Sequence, residues 1–383
     1  MRGSVDMQND SLGAAHHWLL NICIAFFSTV ISLGLIEVAF RIVAYYDDMR
    51  TQHAFLNLGK ADNVIPENMF TTFRQLIRLS ESQHIIYELI PNTSLSVRNK
   101  LYTMNAHGFR GPDYSSPKSK RVFRIVGLGD SLMWGWGVSN DEYYLSLLSQ
   151  HLNRSSPDGY SWEIINTAVP GYNTVMEVET FKEKGLLYHP DLVIIDYVSN
   201  DLSLPNFIRK EENYFSLQRS LAVEFFLSRL NQRHRNFNDG LIDAPLDAFG
   251  QGFESDPSRV PAQYKDMIGP HAYRAAMAEL RALSVNHSFP VIIFTHWYMQ
   301  DFLKDMLRDL DLPILEAGDV LKEYMSKHGI KEYVRSPLTV SNEDPHPSAL
   351  GHTILAGILY DYLKDSGILS QIYTRRGVGS ASE

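Results

Sequence analysis

VFRIVGLGDSL, residues 122–132, begins with a seven-residue apolar run, broken only by Arg124, and then turns at Gly-Asp-Ser. A run this short and this apolar fits a strand covered on both faces, as in a parallel sheet wrapped by helices. Four further runs repeat the signature: EIINTAV (163–169), DLVIIDYV (191–198), PVIIFTHW (290–297) and LPILEA (312–317). Helical patterns lie between them, such as AYRAAMAELRALSV (272–285). Alternation of this kind implies a doubly wound α/β sheet. Such sheets bind ligands beyond the carboxyl ends of their strands, so residues at strand ends are the ones to inspect.

The first run delivers Ser131, a poor nucleophile until a base takes its proton and otherwise an ordinary turn hydroxyl. The second is followed by NTAVPGYNT, where Gly171 either makes a tight turn or leaves its N–H open to a ligand. The third ends in YVSND; the Asn200 amide can donate to a developing oxyanion, or Asn200 and Asp201 can cap a helix. Near the C-terminus His346 stands between Pro345 and Pro347, with Asp344 two residues and Glu343 three residues before it. A carboxylate at that spacing can fix the tautomer of a catalytic imidazole. His352, on the apolar helix that follows, reads as structural. Trp134 and Trp136 lie close behind the serine and are candidates to wall an acyl or sugar site, core packing being the other reading. His296 and Trp297, at the end of the fourth run, are candidates to face the same cleft.

Taken together and in this order, these residues resemble the SGNH (GDSL) hydrolase family. The matching blocks are GDSL (129–132), Gly171 in PGYN, Asn200 in SND and DPHP (344–347). The resemblance covers about residues 121–364, and NAHGFRG (105–111) resembles the lead-in of bacterial members with an N-terminal anchor. It implies a flavodoxin-like three-layer α/β/α fold with a central parallel sheet, and ester hydrolysis through an acyl-enzyme with no cofactor and no metal. Ser131 would attack, His346 would act as base and then acid, and the oxyanion would be held by the N–H groups of Ser131 and Gly171 and the Asn200 side chain. The family acid often lies three residues before the histidine, which is Glu343 here. A subset has the shorter spacing of Asp344, which is the expected acid, with Glu343 the alternative. Asp130 would shape the turn. Where the family usually has glycine two residues before the asparagine, this chain has Val198, which would narrow the floor of the site.

The flanking sequence sets the surroundings. Between Ser11 and Ile36 there is no Asp, Glu, Lys or Arg, and WLLNICIAFFSTVISLGLI (18–36) is about as long as the roughly 20 residues that cross a bilayer. Trp18 at one end and Tyr45 and Tyr46 beyond the other suit the two interfaces. With only Arg2 before the apolar stretch and no small-residue cleavage site after it, a retained single-pass anchor is expected rather than a removed signal. Glu37 and Arg41 are spaced to pair on its last turns. The charge flanks, Arg2 against Arg41 and Arg50, show no bias for sidedness. The resemblance alone puts the catalytic domain outside the cytoplasm, in the periplasm or on the outer face of the inner membrane.

The expected organisation is a tail (1–17), an anchor (18–40), a juxtamembrane and lead-in segment (41–120), the hydrolase domain (121–370) and a C-terminal tail (371–383). Residues 42 to about 83 read as mixed helical, and an insertion (203–268) contains an amphipathic helical pattern at 214–234. A net charge of −9 argues against nucleic acid as partner, and Cys23, the single cysteine, excludes an intramolecular disulfide. The reading is a membrane-anchored serine esterase acting on O-acyl, chiefly O-acetyl, esters of an envelope carbohydrate. A lipid esterase or lysophospholipase and an O-acyltransferase are the alternatives within the class. An inactive scaffold or carbohydrate-binding module is the reading from another class, and the oligomeric state is left open.

Overall fold

A computed structural model of the chain describes residues 18, 20–43, 73–82, 84–97, 100–209, 220, 222–223, 241–244, 247 and 252–378. It divides into two units, residues 1–57 with 210–240, and residues 58–209 with 241–383. In the first, helix α1 (Leu20–Val43) is 24 residues long and is the one helix among the described residues long and apolar enough to cross a membrane. Glu37 and Arg41 pair on its last turns, Arg41 Nε donating to Glu37 Oε1 at 2.8 Å. The other oxygen of Glu37 accepts from Ser220 Oγ at 2.6 Å and from the backbone N–H of Ala222 at 3.1 Å. Most of the amphipathic pattern expected at 214–234 lies outside the described residues.

The second unit opens with two hairpins. Strand β1 (Ile77–Leu79) pairs antiparallel with β2 (Tyr87–Leu89), and β3 (Ser94–Val97) with β4 (Lys100–Thr103). The end of the stretch expected to be mixed helical is therefore a strand: three residues carry too little local preference to resist pairing with Tyr87–Leu89. The sheet follows with β5 (Val122–Leu128), helices α2 (Ser131–Trp134) and α3 (Tyr144–Arg154), β6 (Ser161–Asn166), α4 (Thr174–Glu183) and β7 (Leu192–Asp196). A small hairpin, β8 (Phe207–Arg209) with β9 (Leu241–Asp243), opens the insertion. Then come α5 (Gly269–His287), β10 (Val291–Thr295), α6 (Asp301–Leu307), β11 (Ile314–Glu316), α7 (Gly318–Lys327), α8 (Ala349–Asp365) and α9 (Ile368–Arg375).

Five strands form one parallel sheet in the order β11-β10-β7-β5-β6. Numbered by appearance the order is 2-1-3-4-5, the flavodoxin-like arrangement, so the expected three-layer fold is the observed one. Its strand order reverses between β5 and β7, and a crevice opens there at the carboxyl ends. Strand alternation splits the core in two. Ile125, Leu192, Ile194, Ile292 and Phe294 pack with Leu145, Leu148, Leu355 and Leu359 of α3 and α8. Val126, Val193, Ile195, Val291 and Ile293 pack with Phe181, Met277 and Leu280 of α4 and α5. Helix α9 buries Ile372 and Tyr373, so the packed core continues past residue 370 into the segment expected as a tail.

Arg124 is the charged residue inside the first apolar run, and it is fully buried. Its guanidinium donates to Glu163 Oε2 on β6, to the carbonyl of Tyr188 at 3.0 Å and to the carbonyl of Ser115 at 2.8 Å. It thereby ties the polar linker that enters the sheet to the strands beside it. Arg124→Met leaves these acceptors without a partner in the interior and should destabilise the fold by about 3 kcal/mol. The check is the denaturant midpoint of the full chain.

Candidate active site

The chain leaves β5 through Gly129 and Asp130, and the Asp130 side chain caps α2 by accepting from the Leu132 N–H at 2.9 Å. Ser131 is the first residue of that short helix. Its Oγ donates to His346 Nε2 at 2.7 Å, and His346 Nδ1 in turn donates to Asp344 Oδ1 at 2.6 Å. The loop that carries the histidine is fixed on both sides. Val340 N–H donates to the His346 carbonyl at 2.8 Å, and Ser348 caps α8 by accepting from the Gly351 N–H at 3.2 Å. Burial would raise the Asp344 carboxyl, but the hydrogen bond and charge of His346, with the Trp136 indole, outweigh it and hold Asp344 below the usual carboxylate range. An ionised Asp344 only accepts, so Nδ1 carries the imidazole proton and Nε2 is left free to accept from Ser131. Glu343 is exposed, and its neighbour Asp344 occupies the Nδ1 position that the alternative acid would need.

The other strand ends converge on the same place. Gly171 has φ +77°, and a Cβ there would lie 2.1 Å from Asn206 Cγ, so this turn admits no side chain. Asn200, in a short 3₁₀ turn after β7, donates through Nδ2 to Asp130 Oδ2 at 2.9 Å. A cleft of about 640 Å³ is lined by Ser131, Gly171, Asn200 and His346 together with Val198. Its further walls come from Asn206, Asp247, Phe253, Trp297, Tyr333 and Val334. Trp297 and Tyr333 meet edge to face with ring centroids 5.0 Å apart.

Three expected substrate contacts lie elsewhere. Trp134 and Trp136 pack behind the serine against Tyr102, with ring centroids 4.8 and 5.9 Å away. His296 is buried with Nε2 3.1 Å from Asp196 Oδ2, an oxygen that accepts from Tyr144 OH at 2.7 Å. Neither tryptophan nor His296 lines the cleft, whereas Trp297, one residue further along, does. Tyr333, Val334 and Phe253 come from loops whose sequence carries no distinguishing pattern. His352 is buried on α8, its Nδ1 accepting the Tyr144 N–H at 3.3 Å. Among the described residues, no group of three or more His, Cys, Asp or Glu is arranged to hold a metal ion.

A serine, a histidine and an aspartate hydrogen-bonded in series beside the strand ends of a flavodoxin-like sheet are the arrangement expected of the SGNH class of hydrolases. The family model for GDSL-like lipases and acylhydrolases matches residues 125–359, and the chain belongs to that family of ester-hydrolysing enzymes. Similar solved structures include the acetyl xylan esterase AlAXEase, 12% identical with a TM-score of 0.39, the match covering 63% of this chain and 100% of that one. The lipase/acylhydrolase from Enterococcus faecalis is 16% identical with a TM-score of 0.36, over 64% of this chain and 96% of that one. A catalytic mutant of an acetylxylan esterase from Geobacillus stearothermophilus is 14% identical with a TM-score of 0.37, over 64% and 94%. No curated protein sequence matches the chain.

Beneath the cleft lie two buried carboxyls, Glu177 on α4 and Asp201 beside Asn200. Burial pushes both well above the carboxylate range; the neighbouring charge of Asp201 adds to this at Glu177, and that of Asp130 at Asp201. A raised folded-state value means the folded chain binds more protons than the unfolded one. The stability this contributes is therefore complete below about pH 4, the unfolded value, and declines as pH rises toward the folded one. Glu177→Gln removes the titration. Its melting temperature should match the parent near pH 4 and exceed it increasingly toward pH 8, as thermal denaturation across that range would show.

Proposed function

We propose that this chain is a serine esterase that removes O-acyl groups, chiefly acetyl, from a carbohydrate, with α1 retained as a membrane anchor and the catalytic domain on the extracytoplasmic side. The observation that carries the catalytic reading is the unbroken relay from Ser131 Oγ to His346 Nε2 and from His346 Nδ1 to Asp344, opening onto the cleft. As Oγ attacks the acyl carbonyl, His346 takes the hydroxyl proton, and Asp344 stabilises the imidazolium. The tetrahedral oxyanion accepts from the N–H groups of Ser131 and Gly171 and from Asn200. One Nδ2 hydrogen of Asn200 is engaged by Asp130, which leaves the other for the substrate. Collapse expels the alcohol, which leaves with the proton from His346. Water then attacks the acyl-enzyme, His346 again acting as base, and the carboxylic acid departs.

The carbohydrate reading is supported by the mixture of walls. The Trp297–Tyr333 pair offers a face for a pyranose ring, and Ser203, Asn206, Asp247 and Ser255 offer partners for hydroxyls. Sidedness rests on the resemblance to anchored bacterial members.

The test is hydrolysis of p-nitrophenyl acetate and p-nitrophenyl octanoate by the full chain in detergent micelles, beside single variants. Ser131→Ala should abolish turnover, and Asp344→Asn should lower kcat by about 100-fold or more, while Glu343→Gln stays within about twofold of the parent. The acetate should be preferred. Comparable, slight losses in the two carboxylate variants would refute the assignment of Asp344, and octanoate preference would move the substrate to a lipid. An acetylated oligosaccharide incubated with a sugar acceptor should release free acetate; label moving to the acceptor instead would make the enzyme a transferase.

A further inference from the structure

Asp344 is held through both of its oxygens. Oδ1 accepts from His346 Nδ1 at 2.6 Å and from the His346 backbone N–H at 3.1 Å. Oδ2 accepts the indole N–H of Trp136 at 3.2 Å. A carboxylate restrained on one oxygen can swing about its Cβ–Cγ bond, whereas one restrained on both cannot. We propose that Trp136 is a positioning residue of the hydrolytic site, fixing the plane of Asp344 so that His346 stays aimed at Ser131. We further infer that it is held there by the segment ahead of the catalytic core, residues 100–110. This inference rests on the reading of Ser131, His346 and Asp344 as the catalytic relay.

The indole is well suited to the task, because tryptophan donates only and so selects the ionised carboxylate. Trp136 is nearly buried and does not line the cleft, so its route to the reaction runs through Asp344 rather than through substrate. Its own position is imposed by the lead-in. The Tyr102 ring stacks on Trp136 and Trp134 at 15° and 16°, and the Tyr102 hydroxyl accepts the Gly137 N–H at 2.9 Å. Arg110, buried, donates to the carbonyls of Trp134, Gly135 and Val138, each at 2.6 Å, and to Asn140 Oδ1 at 2.9 Å. Its guanidinium also lies over the rings of Tyr102 and Trp134 at 4.7 and 4.8 Å. Burial lowers the Arg110 pKa to about 10, so it remains a cation at neutral pH.

The loop path leaves little freedom. Gly135 and Gly137 both have φ +86°. A Cβ on Gly135 would stand 2.9 Å from Arg110 Nη1, and one on Gly137 would stand 2.3 Å from Val340 Cγ2, on the loop that leads to Asp344. The nucleophile loop, the acid loop and the lead-in therefore meet in one packed joint, with the Trp136 N–H as its contact with the catalytic carboxylate.

Trp136→Phe keeps the ring and deletes the donor. In the full chain in detergent, kcat for p-nitrophenyl acetate should fall about tenfold, with KM within about twofold and the melting temperature little changed. On an Asp344→Asn background the same substitution should cost almost nothing more, because the carboxylate it orients is gone; a purely structural role would cost the same in both. A readout that leaves position 136 intact is ¹⁵N-tryptophan labelling. One of the five indole N–H resonances should shift between the parent and Asp344→Asn, and this decides the matter if the phenylalanine variant does not fold. Unchanged kcat in Trp136→Phe, equal losses in the two backgrounds, or indole signals unmoved by Asp344→Asn would each overturn the role. Ser131→Ala separates the two levels of inference. If it retains turnover, the relay and the positioning role fall together. If it is inactive while Trp136→Phe is unimpaired, only the role of Trp136 falls.

Discussion

Asp130 stands at the point where the strand order reverses, with each carboxylate oxygen committed to a different strand end. Oδ1 closes the first turn of α2 and so aims Ser131, while Oδ2 takes the amide of Asn200 from the end of β7. These two elements come from strands that are neighbours in the sheet but about 70 residues apart in the chain. Burial raises the Asp130 carboxyl above the usual carboxylate range, and the Leu132 and Asn200 hydrogen bonds limit that rise by favouring the ionised form. Without this bridge Ser131 and the Asn200 amide would each depend on their own loop.

The remaining parts of the site are arranged around the bridge by topology. β6 leads to Gly171, whose carbonyl accepts the Asn206 N–H at 3.1 Å, and this joins the second strand end to the start of the insertion. The histidine loop arrives last, from the residues just before α8, and packs its Val340 against Gly137 behind the serine. Four loops thus reach one cleft from a sheet whose interior is almost wholly apolar, and the polar chemistry is confined to the ends of the strands.

The strands and the Asp344–His346 spacing were legible from sequence because both are local patterns, whereas the pairing of His346 with Ser131 followed only from the family resemblance. Runs such as DLVIIDYV declare a doubly covered strand, and the aspartate two residues before His346 reaches Nδ1 within a single turn. What was not legible depends on direction and distance. Nothing in GDSLMWGWGV says on which side of the turn Trp134 and Trp136 fall; burial against Tyr102, some thirty residues earlier, decides it. His296 and Trp297 differ by one position, and the end of β10 sends the first beneath the cleft and the second into it. Tyr333, Phe253 and Arg110 owe their places to long-range packing, for which a single sequence carries no periodic signal. The three-residue β1 was hidden for the same reason, since its strand character comes from its partner.

The cleft walls and the relay draw on partly different stretches of the chain. The hydrogen bonds of the relay run backwards, to Trp136, to Ser341 and toward Asp130. Phe253 and Ser255 come from the insertion, and Tyr333 and Val334 from the stretch between α7 and α8, ahead of Asp344 and His346 in that same stretch. None of these four wall residues makes a hydrogen bond to Ser131, His346 or Asp344. Descendants of such a chain can reshape the cleft by changing these wall residues, leaving the brace around Ser131 untouched. In a lineage diverging toward new substrates, variation should gather at those wall positions, and the joint between Tyr102, Arg110 and Trp136 should be among the last places to change.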